Sequence, residues 1–134
     1  MRTRVQTAAV GRTVLVVDDE DSMRDTVGRM LVRTGYTVFT AADADLAMRI
    51  VDEHPAEIDL LLTDVTMRGQ SGKELSERVL ERYPGTKVLF MSGSSSNDVA
   101  MRYGALEEGI DLIRKPFSSD DLMRRVHGAI NGST

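Results

Sequence analysis

Short apolar runs recur along the chain and are separated by longer segments in which apolar residues return at helical spacing. The first run, Val14 to Val17, is mostly β-branched and has the length of a strand that is buried on both faces. Four later runs have similar lengths and end at polar or turn-forming residues. We therefore predict five strands, over residues 14–17, 36–40, 58–63, 87–91 and 110–113.

An amphipathic segment that predicts a helix follows each of these strands. Ser22 is a candidate N-cap for the first helix and Asp43 for the second, while Gly35 and Pro55 mark where they stop. The fourth segment has the poorest pattern, because Gly104 weakens it. The predicted helices follow Ser22, follow Asp43, and cover residues 73–83, 98–106 and 118–130.

The alternation of strands and helices predicts the fold class. Each helix acts as a crossover between parallel strands, and each apolar strand must be covered on both faces. The expected architecture is α/β, a doubly wound five-stranded parallel sheet with five helices. In such sheets, ligands bind beyond the carboxyl ends of the strands, near the point where the strand order reverses.

Composition narrows the function classes. The 134 residues include no cysteine, which excludes disulfides, thiolate metal sites and a cysteine nucleophile. The formal net charge of −4 argues against nucleic acid as the main partner. No apolar stretch has the length of a membrane span or of a signal peptide core. We expect a cytoplasmic protein that binds neither membrane nor nucleic acid.

Chemically active side chains stand where the predicted strands end. Asp18 and Asp19 follow the first strand, Asp64 follows the third, Ser92 follows the fourth and Lys115 lies just beyond the fifth. Clustered carboxylates repel one another, so this arrangement is costly unless a cation neutralises it. Mg²⁺ prefers carboxylate and carbonyl oxygens and keeps positions open for phosphate oxygens. The sequence therefore predicts a magnesium site at which a carboxylate attacks phosphorus.

Lysine is scarce in this chain. Only three of the 17 basic residues are lysines, and Lys115 stands directly beside Arg114. This choice indicates that the position needs an ammonium group rather than any positive charge. The Lys115-Pro116 pair is also a candidate for a cis peptide bond.

Four short motifs resemble those of a known family. They are Val-Val-Asp-Asp-Glu at 16–20, Leu-Leu-Thr-Asp-Val at 61–65, Phe-Met-Ser-Gly at 90–93 and Lys-Pro-Phe at 115–117. Each stands at the end of a predicted strand, in the order and with the separations of the receiver (CheY-like) domain of two-component response regulators. Within that family the chain looks most like receivers of hybrid sensor histidine kinases.

The resemblance implies a flavodoxin-like sheet with strand order 2-1-3-4-5 and a specific chemistry. Asp64 would accept a phosphoryl group from a sensor histidine kinase or hybrid kinase. Asp19, Asp64 and the backbone carbonyl of Thr66 would bind Mg²⁺ directly, and Asp18 would act through water. Ser92 and Lys115 would bind the phosphoryl oxygens. The change would then reach an output domain or effector through the face made by the predicted fourth helix, fifth strand and fifth helix.

Three positions depart from the family pattern. Arg68 stands where a proline is common, Leu112 replaces an aromatic residue that moves on activation, and Ser94 replaces a frequent tyrosine. These departures keep open a degenerate receiver that binds partners without phosphorylation. A phosphatase with the same aspartyl chemistry is a weaker alternative, because Thr66 occupies the place of its general acid.

The expected domain organisation follows from the same patterns. Residues 1–12 carry three arginines and little apolar periodicity, which is typical of a flexible lead-in or linker. Residues 13–131 would form the receiver domain, and residues 132–134 a short C-terminal tail. Such a domain catalyses only its own phosphorylation and dephosphorylation and is not otherwise an enzyme.

Overall fold

The fold is a central parallel sheet with helices on both faces. A computed structural model describes residues 11–54, 57–67, 70–92 and 111–131. Its strands are β1 (Thr13–Val17), β2 (Thr37–Ala41), β3 (Leu60–Asp64), β4 (Thr66–Met67), β5 (Gln70–Ser71), β6 (Lys87–Ser92) and β7 (Asp111–Arg114). The helices among these residues are α1 (Asp21–Thr34), α2 (Ala44–Glu53), α3 (Gly72–Arg82) and α4 (Ser119–Asn131).

The main sheet has the order β2-β1-β3-β6-β7, with every neighbouring pair parallel. Because β4 and β5 form a separate two-stranded sheet, this order is 2-1-3-4-5 when only the strands of the main sheet are counted. The structure therefore confirms the predicted fold class and the strand order that the family resemblance implied. The order reverses at β1, where β2 lies on one side and β3 on the other. Ligands bind beside such a reversal in doubly wound sheets. The predicted helix at 98–106 lies outside the described residues.

Alternate residues of the strands face two separate apolar layers. Val14 and Val16 pack in one layer with residues of α1 and α4. Leu15 and Val17 pack in the other with residues of α2 and α3. Because β1 is covered on both sides, all five of its residues are buried, as its β-branched run predicted.

Two of the predicted helix ends are confirmed by capping residues in the structure. Asp43 caps α2 as predicted, because its side chain accepts a hydrogen bond from the Leu46 amide at 2.8 Å. Gly35 ends α1 in a left-handed conformation with φ of 108°, also as predicted. The prediction that Ser22 caps α1 is wrong: the helix begins at Asp21 and the N-cap is Glu20, with no side-chain cap hydrogen bond.

Smaller differences concern exposure and element ends. Leu46 of α2 is a large apolar residue, yet it is 36% exposed. Strand β2 begins one residue later than predicted, so the buried Tyr36 precedes it. None of the helices in the described ranges is long and apolar enough to span a membrane.

Candidate functional site

The carboxyl ends of the central strands bring the predicted residues to one edge of the sheet. Asp18 directly follows β1, Asp64 is the last residue of β3, and Ser92 is the last residue of β6. The register pairs Asp64 with Met91, so Ser92 lies one position further along the neighbouring strand. Strand pairing alone therefore places the acid-bearing and hydroxyl-bearing positions beside one another.

Asp18, Asp19 and Asp64 form a compact acidic cluster. Each offers a carboxylate oxygen, and these oxygens lie within 4.8 Å of one another. Asp18 is fully buried and Asp64 is 6% exposed, so water screens their repulsion poorly. This donor set is the kind that a small hard cation such as Mg²⁺ prefers, and the cluster could hold a metal ion.

Lys115 bridges two of the three carboxylates. Its Nζ lies 2.8 Å from Oδ1 of Asp64 and 3.1 Å from Oδ2 of Asp18. The Lys115-Pro116 peptide bond is cis, as predicted. With only 15% of its side chain exposed, the ammonium group is held inside the cluster rather than in solvent. The short charge-assisted contacts explain why lysine, a compact point charge on a flexible stem, occupies this position.

Burial raises the pKa of Asp64 from 3.8 to about 7. The neighbouring Asp18 carboxylate adds to the rise, and the Lys115 ammonium opposes it. Burial lowers the pKa of Lys115, but the carboxylates of Asp64 and Asp18 outweigh this effect, so its pKa is raised. The ammonium therefore stays charged at neutral pH, whereas Asp64 is held near the midpoint of its titration when no other cation is bound.

This raised pKa predicts how stability depends on pH in a divalent-free buffer. Between pH 3.8 and about 7, the native protein binds more protons at Asp64 than the unfolded chain does. Through this group the free energy of unfolding falls as pH rises, by at most about 1.4 kcal/mol per pH unit. Asp64→Asn removes this contribution, so we expect its stability advantage over the wild type to be larger at neutral pH than at acidic pH.

Urea unfolding of both proteins in EDTA, at about pH 5 and about pH 7, measures the difference. Comparing the two proteins cancels the titration of the shared groups that do not contact Asp64. An advantage of the same size at both pH values would contradict the raised pKa of Asp64.

Ser92 contributes a buried hydroxyl group to the same edge. The residue is 3% exposed, and its Oγ has no hydrogen-bond partner among the described residues. Its carbonyl oxygen accepts a hydrogen bond from the Lys115 amide at 2.7 Å, which ties the end of β6 to the lysine. A buried hydroxyl without a partner costs free energy unless a ligand or water satisfies it. Ser92 is therefore a group that can receive an oxygen-rich ligand.

The backbone around Asp64 is fixed by its packing against the start of α3. The Gly72 amide donates to the Val65 carbonyl oxygen at 2.8 Å, and the Val65 amide donates to the Met91 carbonyl oxygen at 3.0 Å. A Cβ atom at Gly72 would lie 1.9 Å from the Asp64 carbonyl oxygen. Glycine is therefore required sterically at this close approach of two backbone segments.

Arg24 is a residue of the site that sequence reasoning missed. Its Nη1 donates to the Asp18 carbonyl oxygen at 2.8 Å, and its Nη2 contacts Oδ1 of Asp21 at 2.6 Å. The Asp18 side chain accepts a further bond from the Glu20 amide at 2.9 Å. Arg24 lies three residues after Asp21, in the first turn of α1, and this i,i+3 spacing was the available signal. These contacts tie residues 18–21, which we call the acidic loop, to the first turn of α1.

The remaining predicted positions are described in part. Thr66 lies in β4, two residues after Asp64, and pairs with Ser71. Leu112 is half-buried in β7, and its carbonyl oxygen accepts a bond from Arg125 at 2.7 Å. Arg68 and Ser94, the other two departures from the family pattern, lie outside the described residues.

Comparison with known proteins decides the family. Residues 14–127 match the family of response regulator receiver domains. The chain belongs to this family. It is 34% identical over 114 residues to the sensor kinase CckA of Brucella abortus, covering 85% of this chain and 12% of that protein.

Solved structures agree with this assignment. The receiver domain is similar to a response regulator receiver domain protein from Clostridium thermocellum, with a TM-score of 0.77, 30% identity and coverage of 90% of this chain and 95% of the other. It is also similar to the receiver domain of the hybrid histidine kinase CckA, with a TM-score of 0.72, 31% identity and coverage of 88% and 98%. The chain spans less than half the length of the curated relatives it matches.

Proposed function

We propose that this receiver domain accepts a phosphoryl group on Asp64 from the phosphohistidine of a sensor histidine kinase, in a reaction that requires Mg²⁺. The observation that carries the proposal is the edge itself, where three carboxylates, one bridging lysine and one hydroxyl with no hydrogen-bond partner among the described residues meet. Similarity to receivers of kinases supports a histidine kinase as the donor.

In this reaction a carboxylate oxygen of Asp64 forms a bond to phosphorus. The phosphorus–nitrogen bond of the phosphohistidine breaks, and its electron pair stays on the imidazole nitrogen. Where that nitrogen needs a proton, solvent supplies it. The product is an aspartyl phosphate. Because little other covalent chemistry is required, the protein contributes mainly positioning and charge stabilisation.

The chain's own residues supply that positioning. Asp19, Asp64 and the Thr66 carbonyl would hold the metal ion, with Asp18 acting through water. A bound Mg²⁺ would neutralise charge on the carboxylates and on the phosphoryl oxygens. The Lys115 ammonium, which is already 2.8 Å from Asp64, would move its contact to a phosphoryl oxygen. The Ser92 hydroxyl, for which the described part of the chain offers no hydrogen-bond partner, would donate to another phosphoryl oxygen.

Phosphorylation would reach a partner protein through the β7 side of the sheet. Ser92 pairs with Arg114 of β7, and the Lys115 amide bonds to the Ser92 carbonyl oxygen. A shift of Ser92 and Lys115 toward a phosphoryl group would therefore displace β7 and the start of α4. We propose that an output domain or effector binds the face that includes these elements and the predicted helix at 98–106.

Acetyl phosphate provides the direct test of the proposed function, because it replaces the kinase as phosphodonor. The wild-type domain is incubated with acetyl phosphate in MgCl₂ or in EDTA, and intact mass reports a covalent phosphoryl group. We expect uptake of one group per chain in MgCl₂ and none in EDTA. Absence of uptake under both conditions would overturn the proposal and favour the degenerate receiver.

Metal binding gives a second prediction at this site. Asp19→Asn removes one of the three carboxylates, so we expect the affinity for Mg²⁺ to fall about tenfold or more. Titration with MgCl₂, followed by amide chemical shifts, measures the affinity. Asp25→Asn is the matched control, because that carboxylate is exposed and pairs with Arg29 on the surface of α1. Equal losses in the two variants would show that general negative charge, rather than the cluster, attracts the ion.

A further inference from the structure

Two short strands, β4 and β5, begin two residues beyond Asp64 and pair antiparallel, and we call this pair of strands the acceptor hairpin. Its two strands pair Thr66 with Ser71 and Met67 with Gln70. On one side, Met67 is 2% exposed and packs in the apolar layer under α2 and α3. On another side, Oε1 of Gln70 accepts a hydrogen bond from the backbone amide of Ala44 at 2.8 Å.

Ala44 is the first residue of α2, and this position explains the bond. The first amides of a helix have no carbonyl partner within the helix. Asp43 satisfies the Leu46 amide, and Gln70 satisfies the Ala44 amide across 26 residues of chain. Side chains from two different segments thus complete the same helix terminus. The acceptor hairpin and the start of α2 are joined by a neutral hydrogen bond that carries no formal charge.

We propose that Gln70 is a positioning residue for the phosphoryl-transfer site. Its bond to α2 fixes β5, and the register of the hairpin then fixes β4, which carries Thr66. The inference rests on the proposed function, in which the Thr66 carbonyl is a metal ligand. A residue that orients a ligand in this way changes metal affinity without touching the metal.

The cavity beside the hairpin places Gln70 next to the acidic residues. Asp19, Asp43, Met67 and Gln70 are among the residues that line it, so the acidic loop, the start of α2 and the acceptor hairpin all border one space. Loss of the Gln70 bond would let the hairpin move relative to the carboxylates across this space. The neutral Gln70 carboxamide joins the acceptor hairpin to the start of α2 without adding a positive charge that would repel a cation.

The test compares three variants in divalent-free buffer and during titration with MgCl₂. Gln70→Met keeps an unbranched side chain of similar length and removes the amide oxygen. We expect faster hydrogen exchange of the Ala44 amide and an Mg²⁺ affinity about tenfold weaker than in the wild type. Gln70→Glu keeps an acceptor oxygen but adds a negative charge, so its Mg²⁺ affinity is not compared. Only hydrogen exchange of the Ala44 amide is measured for this variant, and we expect it to be as slow as in the wild type.

Thr86→Val is the matched control for lost stability. Thr86 is buried at the opposite end of the sheet, and its Oγ1 donates one neutral hydrogen bond to the Ile58 carbonyl oxygen at 2.6 Å. We expect this variant to lose stability while its Mg²⁺ affinity stays within about twofold of the wild type, because a distant bond does not orient a metal ligand.

Two results would overturn the positioning proposal. One is an Ala44 amide that exchanges equally in the wild type and in Gln70→Met, which would mean that the bond is not made. The other is a Gln70→Met protein with the Mg²⁺ affinity of the wild type or of Thr86→Val. Failure of the proposed function is seen separately, since it is the absence of phosphoryl uptake by the wild type from acetyl phosphate.

Discussion

Asp64→Asn should take up phosphoryl groups from acetyl phosphate at least about 100-fold more slowly than the wild type. The substitution keeps the shape of the side chain but replaces the carboxylate that we propose attacks phosphorus with an amide, which cannot form an acyl phosphate. The side chain is 6% exposed at the end of β3, so the near-isosteric amide fits the same space. Loss of Lys115's closest carboxylate is not expected to unfold the domain, because burial already disfavours the charged form of Asp64.

Intact mass over time in MgCl₂ measures this uptake, and a folded-state measurement by circular dichroism accompanies it. Asp25→Asn is again the control, since it makes the same chemical change at an exposed carboxylate. We expect its rate to match the wild type. Uptake by Asp64→Asn at a comparable rate would mean that another residue accepts the phosphoryl group.

Gly72→Ala should destabilise the domain by about 3 kcal/mol or more. The added Cβ would lie 1.9 Å from the carbonyl oxygen of Asp64, 3.0 Å from its carbonyl carbon and 3.2 Å from the carbonyl oxygen of Val65. All three are backbone atoms, so no side chain can rotate away to make room. Either α3 or the end of β3 must shift, and a shift of β3 moves the Asp64 carboxylate.

Gly28→Ala is the matched control for this glycine. Gly28 is buried in the middle of α1, but a Cβ there would meet the end of the Thr40 side chain at an ordinary 3.4 Å. Because alanine favours helix more than glycine does, we expect Gly28→Ala to be neutral or to gain up to about 1 kcal/mol. The urea concentration at the unfolding midpoint reports the stability of each variant. A Gly72→Ala protein as stable as the wild type would contradict the close approach of Gly72 to the Asp64 carbonyl oxygen.

The sequence predicted those features that depend on local pattern. The run at Val14 to Val17 predicted a strand covered on both faces, because only a doubly buried strand is apolar at every position. Asp43 and Gly35 predicted helix ends, since capping and the left-handed conformation depend on the residues within one turn. Once the strands were placed, parallel order brought Asp18, Asp64 and Ser92 to one edge without any knowledge of side-chain geometry.

Features that depend on side-chain contacts of the folded chain could not be predicted from the sequence. The acceptor hairpin has strands of only two residues, too short for a periodic pattern, and it is held by a hydrogen bond that the Ala44 amide donates to Gln70. The spacing of Arg24 from Asp21 indicates their ion pair, but it does not predict the hydrogen bond from Arg24 to the Asp18 carbonyl oxygen. Ser22 was a plausible cap by composition, but the N-cap is Glu20, two residues earlier.

The lysine bridge also has a consequence for ion valence. When all are ionised, the three clustered carboxylates and the one ammonium leave two formal negative charges in a largely buried space. One divalent ion brings that space to neutrality, whereas one monovalent ion leaves it charged and a trivalent ion overshoots. Because charge imbalance is costly away from water, such a cluster would favour a divalent ion on charge alone, apart from any effect of coordination geometry or ionic radius.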